Sequence, residues 1–583
     1  MEARAVLQKY FGYDDFRPLQ ADIIQSVLSG RDTLALMPTG GGKSLCFQVP
    51  ILCMGALCLV ITPLIALMKD QVENLKRRGI QAAAIYTGMT SDQMHVALDN
   101  CQFGPYRCLY VSPERLESEE FIKRLSMLPI RLIAVDEAHC ISQWGYDFRP
   151  SYLRIGELRK ALIDKRLERG ISDNEIPILA LTATATPEVV DDIQDKLGFR
   201  EKNVFRKSFH RANLQYIVRY CEDTKDTNDT KNKFYQLRHI LGHVAGSAIV
   251  YVRNRKRAVE LAEALCDWAK DPSFADFYHA GLISTERNAK QEAWKKGEKR
   301  VIVCTNAFGM GIDKPDVRLV IHYDLPDSIE AYFQEAGRAG RDEKTAYAVL
   351  LYAPSDKTKA RRRVADNYPD PEFVENIYHK TCDYLGVGLG SGLGHTFALH
   401  MDDLCRVRGL QMLPTYSALN LLSQAGYIHF EEEKEMSPRV RINIPYNVLA
   451  SYQFTQEQEA LLTGLMRRHT GIFTDLVYLF DDEVNHELLV SLAARGVITY
   501  IPRTRACGFT FTMERQDSIY LRPAVYQDRR TQYINKLHAM VEYAEQTQFC
   551  RSQILLAYFG ENDADRCGTC DVCRATSAPQ PSV

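Results

Sequence analysis

The sequence predicts an α/β chain with two doubly wound parallel-sheet lobes, then smaller α+β modules, then a short helical module rich in cysteine. Three observations carry this. Short apolar, β-branched runs alternate with amphipathic helical stretches, twice over, which is the pattern of parallel strands joined by crossover helices. Leu422, Gly426, Ile428 and Phe430 recur about seventy residues later as Leu492, Gly496, Ile498 and Tyr500, each time a helix ending at glycine and passing into an alternating run. Cys550, Cys567, Cys570 and Cys573 form C-x16-C-x2-C-x2-C near the end.

At 583 residues the chain exceeds what one core holds, so several domains are expected. Hydrophobic content of 46% and charged content of 25% are those of a soluble globular protein. The formal net charge of −2 confines any nucleic-acid surface to a local patch. Val49 to Met68 carries no charge, but Pro50, Gly55 and Pro63 break it into helix end, turn, strand and loop, which excludes a membrane span. The N-terminus lacks the apolar core of a signal peptide, and most of the 16 cysteines stand singly in apolar runs. A reducing, cytoplasmic setting is therefore expected, nucleoid-associated if the source is bacterial.

In the first lobe DTLALMP runs as a strand into Thr39, Gly40, Gly41, Gly42, Lys43 and Ser44. Such glycines let backbone N–H groups wrap phosphates, Lys43 would reach the outer phosphates, and Ser44 would ligate Mg²⁺. The general phosphate-loop pattern has glycine where this chain has Met37. Strands ALCLVI, AAAI, RCLYV, RLIAV and PILALT follow, and RLIAV delivers Asp136 and Glu137. An Asp there can hold Mg²⁺ while the next acid orients or deprotonates the attacking water, although the pair alone also fits a solvated acidic turn. Ser142 to Pro150 has no helical or strand period and reads as a loop. Its Trp144, Phe148 and Arg149 suit base stacking and phosphate contact, with Phe148 also suited to packing the loop onto the body.

After an exposed polar stretch, residues 221–233, the second lobe repeats the alternation and carries NAFGMGIDKP, Asn306 to Pro315, and QEAGRAGRD, Gln334 to Asp342. On a helix, Arg338 and Arg341 share a face and can reach a nucleotide held by the first lobe. An arginine entering from a separate lobe stabilises transition-state charge, and Arg341 is the expected finger.

PTGGGKS, DEAHCISQWGYDFRP and QEAGRAGRD, in this order, closely resemble the motifs of the RecQ family of superfamily 2 DNA helicases, across roughly residues 7 to 355 and again at the C-terminal cysteines. The resemblance implies RecA-like lobes, ATP and Mg²⁺ as cofactors, and single-stranded and duplex DNA as partners. It implies adenine recognition by residues 7 to 20, with Tyr13 stacking while Arg17 and Gln20 contact the base. It also implies strand tracking by Thr62, Lys69, Ser112, Glu114 and Arg115, and coupling of ATP state to DNA through Thr182, Ala183 and Thr184. Movement 3′ to 5′, a place in recombination and repair, and a single-strand-binding protein or topoisomerase as protein partner are further expectations of the family. An RNA-directed or translocase-only ATPase and a non-catalytic DNA-binding scaffold are the alternatives. The Trp144 loop weighs against the first, and intact Lys43, Glu137 and Arg341 against the second.

Four thiolates spaced as Cys550, Cys567, Cys570 and Cys573 suit tetrahedral Zn²⁺, and their clustered part also fits iron–sulfur runs. The preceding NKLHAMVEYAEQTQFCRSQILLAYFGE resembles the helical hairpin of the RecQ zinc module, which tilts the choice to zinc. In the usual family order a winged helix follows that module, whereas here a segment from about Leu385 to Pro523 precedes it and nine residues follow Arg574. The expected partition is a first lobe at 1–205, a second at 206–355, a helical connector at 356–397, winged-helix-like modules at 398–455 and 456–523, a zinc module at 524–575 and a tail at 576–583. Each winged-helix-like module is expected to close its own hairpin. The first would turn through EEEKEMSP, Glu431 to Pro438, whose charge phosphates would repel. The second would turn through IPRTRACG, Ile501 to Gly508, with Arg503 and Arg505 at a DNA-contacting tip. Packing against protein is the other role open to this segment.

Overall fold

The strand runs of the lobes are apolar on both faces because helices cover both sides of each sheet. The computed structural model describes residues 2–38, 40–86, 89, 91–142, 148–170, 175–309, 314–436, 438–449, 451–474, 476–479 and 483–577. They fall into two compact units, one made of residues up to Ala360 together with those from Gln532 onward, the other of Arg361–Thr531. Among the described residues no helix is long and apolar enough to cross a membrane.

The first lobe contains β1 (Thr33–Leu36), β2 (Leu57–Ile61), β3 (Ala82–Ile85), β4 (Cys108–Val111), β5 (Ile130–Val135), β6 (Ile178–Thr182) and β7 (Val204–Arg206). They form one parallel sheet in the order β3-β4-β2-β5-β6-β1-β7. The phosphate loop follows β1, the acidic pair follows β5, and Thr182 to Thr184 follows β6. Three neighbouring strands thus present their motifs at one sheet edge, the edge where doubly wound folds bind ligands. The second lobe contains β8 (Leu214–Tyr220), β9 (Ser247–Tyr251), β10 (Ala275–Tyr278), β11 (Val301–Cys304), β12 (Val317–His322) and β13 (Ala346–Tyr352), parallel throughout in the order β10-β11-β9-β12-β13-β8. Its helix Ile329–Ala336 leads into the arginine motif. Residues 207–213 are the chain's crossing from β7 of one sheet to β8 of the other.

The unit Arg361–Thr531 departs from the expected arrangement. It contains β14 (Thr396–Leu399), β15 (Ile428–Met436), β16 (Arg439–Ile442), β17 (Val477–Tyr478), β18 (Ile498–Ile501) and β19 (Thr504–Phe511), in two antiparallel sheets ordered β14-β19-β15 and β17-β16-β18. The expected hairpins β15–β16 and β18–β19 do not form. Instead β15 pairs with β19, from Ile428↔Phe511 to Met436↔Thr504, and β16 pairs with β18, from Arg439↔Ile501 to Ile442↔Ile498. After one irregularity between Glu431 and Lys434, the pairs on either side of the crossings, Met436↔Thr504 and Arg439↔Ile501, keep one register, so the four strands are arranged as one two-stranded ribbon. Neither expected hairpin turn is found among the described residues: Glu431 to Met436 is strand, Ser437 lies outside them, and Arg503 is a bend where β18 passes into β19.

Turn chemistry supplies the reason. Two-residue hairpins favour Asn-Gly or similar pairs that accept positive φ, whereas Ser437-Pro438 and Pro502-Arg503 stand at the crossings. Proline holds φ near −65° and biases the residue before it toward extended backbone, which fits Ile501 as the last residue of β18; Ser437 lies outside the described residues. Alternation still works at both ends of the ribbon. Ile428, Phe430, Phe509 and Phe511 enter one core with helices Pro371–Tyr384 and Met412–Ala425, while Val440, Ile442, Ile498 and Tyr500 pack with helices Gln456–Arg468 and His486–Ala494. Helix Pro371–Tyr384, assigned from sequence to a connector, contributes Val374, Ile377 and Tyr378 to the first of these cores.

Candidate active site

The phosphate loop needs its glycines for space as well as conformation. Gly40 and Gly42 have φ of 79° and 78°, left-handed values that side chains resist. A Cβ on Gly42 would lie 2.3 Å from Gln20 Nε2, and one on Gly41 would lie 2.9 Å from the Pro38 carbonyl oxygen. Gln20, 1% exposed, donates to the carbonyls of Gly41 (3.3 Å) and Gly42 (3.1 Å), and Arg17 donates to that of Gly40 (2.6 Å). The segment expected to read adenine is thereby strapped to the phosphate loop. Tyr13 is half exposed at the mouth of the cleft. Thr39 lies outside the described residues.

Asp136 receives hydrogen bonds from the Glu137 backbone N–H (3.0 Å) and the Thr62 hydroxyl (3.4 Å). Burial pushes its carboxyl up to about 6, the neighbouring Glu137 charge adds to the rise, and Lys43 opposes it. Glu137 adopts φ 48°, ψ 46°, a left-handed conformation unusual for a residue with a side chain and typical of functional positions. It is 8% exposed, and no side chain or backbone group of the described residues hydrogen-bonds its Oε2; His139 Nδ1 stands 3.4 Å away. The same His139 nitrogen lies 2.9 Å from Thr182 Oγ1, which in turn donates to the Thr184 carbonyl. His139 therefore joins the acidic pair to the loop after β6. It was passed over in the sequence, although a histidine two residues beyond an acidic pair was there to read.

The second lobe closes the site. Arg341 packs over Gly40, whose Cβ would lie 3.5 Å from Arg341 Cγ. Arg338, 4% exposed, instead donates to the Gly309 carbonyl. The two arginines share the cleft, but they differ in what they hold. Together with Gln334 and Pro315 they face Arg17, Gln20, Gly40, Gly42, Lys43, Ser44, Asp136 and Glu137 around a cleft of about 740 Å³.

The loop after the acidic pair is described only at its ends. Ser142 donates to Asp192 (2.5 Å), and Arg149 pairs with Glu114 (3.6 Å) while Phe148 is half-buried. Trp144 lies outside the described residues. Of the strand-tracking set, Arg115 donates to the Tyr86 carbonyl and Lys69 stands over the Tyr86 ring, so these two share a partner. In the other unit Arg503 is exposed, and Arg505 pairs across the ribbon with Glu435; the side chain of Arg505 is outside the described set.

The four C-terminal cysteines converge. Their sulfur atoms all lie within 4.8 Å of one another, close to the spacing of about 3.8 Å that tetrahedral Zn–S bonds of ~2.3 Å require. Backbone N–H groups of Cys567, Cys570 and Cys573 point at the sulfurs of Cys550, Cys567 and Cys570. Burial opposes ionisation of Cys567, but hydrogen bonds from Thr569 and Cys570 prevail and bring it to about 7. Burial leaves the other three above the usual thiol range.

Family models match the same regions. The DEAD/DEAH box helicase family covers residues 17–193, the helicase conserved C-terminal domain residues 232–343, and the RecQ zinc-binding family residues 511–574. The chain is 43% identical over 351 residues to the probable ATP-dependent DNA helicase RecS of Bacillus subtilis (strain 168), a match covering 60% of this chain and 66% of that one. It is 39% identical over 348 residues to the ATP-dependent DNA helicase RecQ of Synechocystis sp., covering 59% of this chain and 70% of the relative. The chain spans 52% to 66% of the length of the first curated relatives it matches. The crystal structure of DUF1998 helicase MrfA bound to DNA shares the fold, with a TM-score of 0.50 and 17% identity over 73% of this chain and 61% of that one. Motif order, cysteine module and relatives agree, and the chain belongs to the RecQ family of DNA helicases.

Proposed function

We propose that the chain is an ATP- and Mg²⁺-dependent DNA helicase that moves 3′ to 5′ on single-stranded DNA and unwinds duplexes, in recombination and repair. One observation carries the reading: Lys43, Ser44, Asp136 and Glu137 of one lobe and Arg341 of the other line a single cleft. Lys43 would neutralise the outer phosphates, and the strapped phosphate loop would wrap them with N–H groups. Glu137, buried and with an uncommitted carboxylate oxygen, suits the orientation of an attacking water. Arg341 adds positive charge where the transition state develops negative charge, so hydrolysis requires the lobes to approach.

Ser44 and Asp136 would hold Mg²⁺, which neutralises phosphate charge when bound. The Ser44 hydroxyl and the buried Asp136 carboxyl line one cleft, a donor pair such a cation suits. Cys550, Cys567, Cys570 and Cys573 would hold one Zn²⁺ in a structural role, and their mutual spacing favours it. Trp144, Phe148 and Arg149 would contact the single strand, and Arg503 and Arg505 the duplex along the ribbon. ATP hydrolysis measured with single-stranded DNA, RNA or no polymer, followed by unwinding of 3′-tailed and 5′-tailed duplexes, tests the whole reading. Stimulation by RNA alone, or unwinding only from 5′ tails, would overturn it. Metal analysis should return one equivalent of zinc and a colourless protein; iron and a brown colour would move the cysteines to a cluster.

A further inference from the structure

The crossing between the lobes is gripped at both of its ends. At its far end Arg211 spreads its guanidinium over three carbonyls of the arginine motif, donating to Gly337 (3.4 Å), Ala339 (3.0 Å) and Gly340 (2.6 Å). Asn213 Nδ2 donates to Gly340 (2.7 Å) and Lys344 (2.9 Å), and its Oδ1 accepts from Arg211 (3.2 Å). Gly340 has φ 61°, and a Cβ there would lie 2.6 Å from Asn213 Nδ2, so loop and linker are fitted backbone to side chain. Arg341 is the next residue.

At its near end the linker is held by the cysteine module. Glu561 accepts from the Ser208 hydroxyl (2.6 Å) and the Phe209 backbone N–H (2.7 Å). Phe209, fully buried, packs against Phe333 of the helix leading to the arginine motif (5.9 Å between centroids) and against Phe559 (5.3 Å), which themselves meet at 5.0 Å. Glu561 is itself fixed. Cys550 stands just before helix Arg551–Tyr558, Gly560 follows its end with φ 88°, and the Glu561 N–H returns to the Leu556 carbonyl (2.8 Å) as a Schellman-type close.

We infer that Arg211, Asn213 and Glu561 are positioning residues for the finger: they hold the Gly337–Arg341 loop through the interlobe linker, with the cysteine module as anchor. This rests on the reading of Arg341 proposed above and adds how the finger is aimed. None of the three lines the nucleotide cleft. Arg338 of the same loop is tied to the Gly309 carbonyl, whereas Arg341 packs over Gly40 of the phosphate loop, so it is through Arg341 that the three act on the nucleotide.

The test uses the intact protein with ADP and with ADP–aluminium fluoride, a mimic of the transferring phosphoryl group. Arg211→Lys keeps the charge but cannot span three carbonyls, and misplacing a catalytic group by ~1 Å costs about 10²-fold. The affinity of Arg211→Lys for ADP–aluminium fluoride should fall by about that factor, with kcat, while ADP affinity and the KM for ATP stay within about threefold. Glu561→Gln should move the same quantities in the same direction by less, with zinc content unchanged. In an Arg341→Ala background neither substitution should reduce analogue affinity further, because all act through one guanidinium. A loss that adds in full to that of Arg341→Ala would overturn the relay, since general damage would add. If Arg341→Ala is damaging and Arg211→Lys is silent, the relay alone fails. If Arg341→Ala is silent, the finger fails and the relay with it.

Discussion

The two lobes and the segment Arg361–Thr531 use equally plain strand patterns, yet only in the lobes does the pattern say which strand lies beside which. A parallel strand reaches its neighbour through a crossover helix of fixed hand, so order along the chain restricts order in the sheet. An antiparallel strand has no such constraint. In Arg361–Thr531 two similar repeats offer every strand two partners of like pattern, and β15 takes β19 over the nearer β16. Strand identity is a local property, whereas partner choice is long-range, here β15 with β19 and β16 with β18.

Experiments can break or sharpen this contrast. The largest effect belongs to the lobes: Lys43→Ala and Arg341→Ala should each lower DNA-stimulated ATP turnover by about 10³ to 10⁵, with Arg341→Ala still binding nucleotide. Turnover within a few-fold of the unsubstituted protein would separate the two lobes' roles again. Next is the ribbon. Phe509→Ala removes a fully buried ring from one core and should cost about 3 to 5 kcal/mol. If the ribbon couples the cores, amide exchange should quicken at Val440 and Ile498 as well as at Phe430. Loss of protection confined to the first core would mean that the modules fold as separately as the expected hairpins implied.

Smaller effects follow. Trp144→Ala should leave basal hydrolysis intact and remove most of the stimulation by single-stranded DNA, in keeping with about 1 to 3 kcal/mol for a base stacked on an aromatic. Full stimulation would mean the ring only packs. Smallest is the double substitution Arg503→Ala with Arg505→Ala, which should flatten the salt dependence of duplex binding by about two units of slope while hydrolysis stimulated by single strands survives. An unchanged slope would leave the ribbon a purely structural element.

Legibility in the sequence tracked locality. The phosphate loop, the acidic pair and the four cysteines are contiguous or tightly spaced motifs, and the structure brings each set together. Helical spacing predicts Arg338 and Arg341 on one face, with Arg341 as the finger, but the helix ends at Ala336 and both arginines lie in the turn beyond it. Their division of labour depends on Gly309 and Gly40, residues far away in the chain. Arg211, Asn213 and Glu561 carried no signal for the same reason, since most of their partners are backbone carbonyls and N–H groups that any sequence would supply. The ribbon was half visible. Pro438 and Pro502 suit a turn as well as an extended crossing, and only the long-range pairing of β15 with β19 and of β16 with β18 distinguishes the two.

The shared ribbon also sets an order of events during synthesis. Close to seventy residues separate the end of β15 from the start of β19, so at about 5 to 20 residues per second β15 leaves the ribosome several seconds before its partner exists. Its neighbour β16 waits a shorter time for β18, and the sheet at that end can close first. An unpaired strand is an invitation to mispair with other chains, and charge along its edge is a known deterrent. The run Glu431, Glu432, Glu433, Lys434, Glu435 lies within that waiting strand. Those charges, ill suited to meeting DNA, are well suited to keeping nascent copies of β15 apart until Thr504–Phe511 arrives.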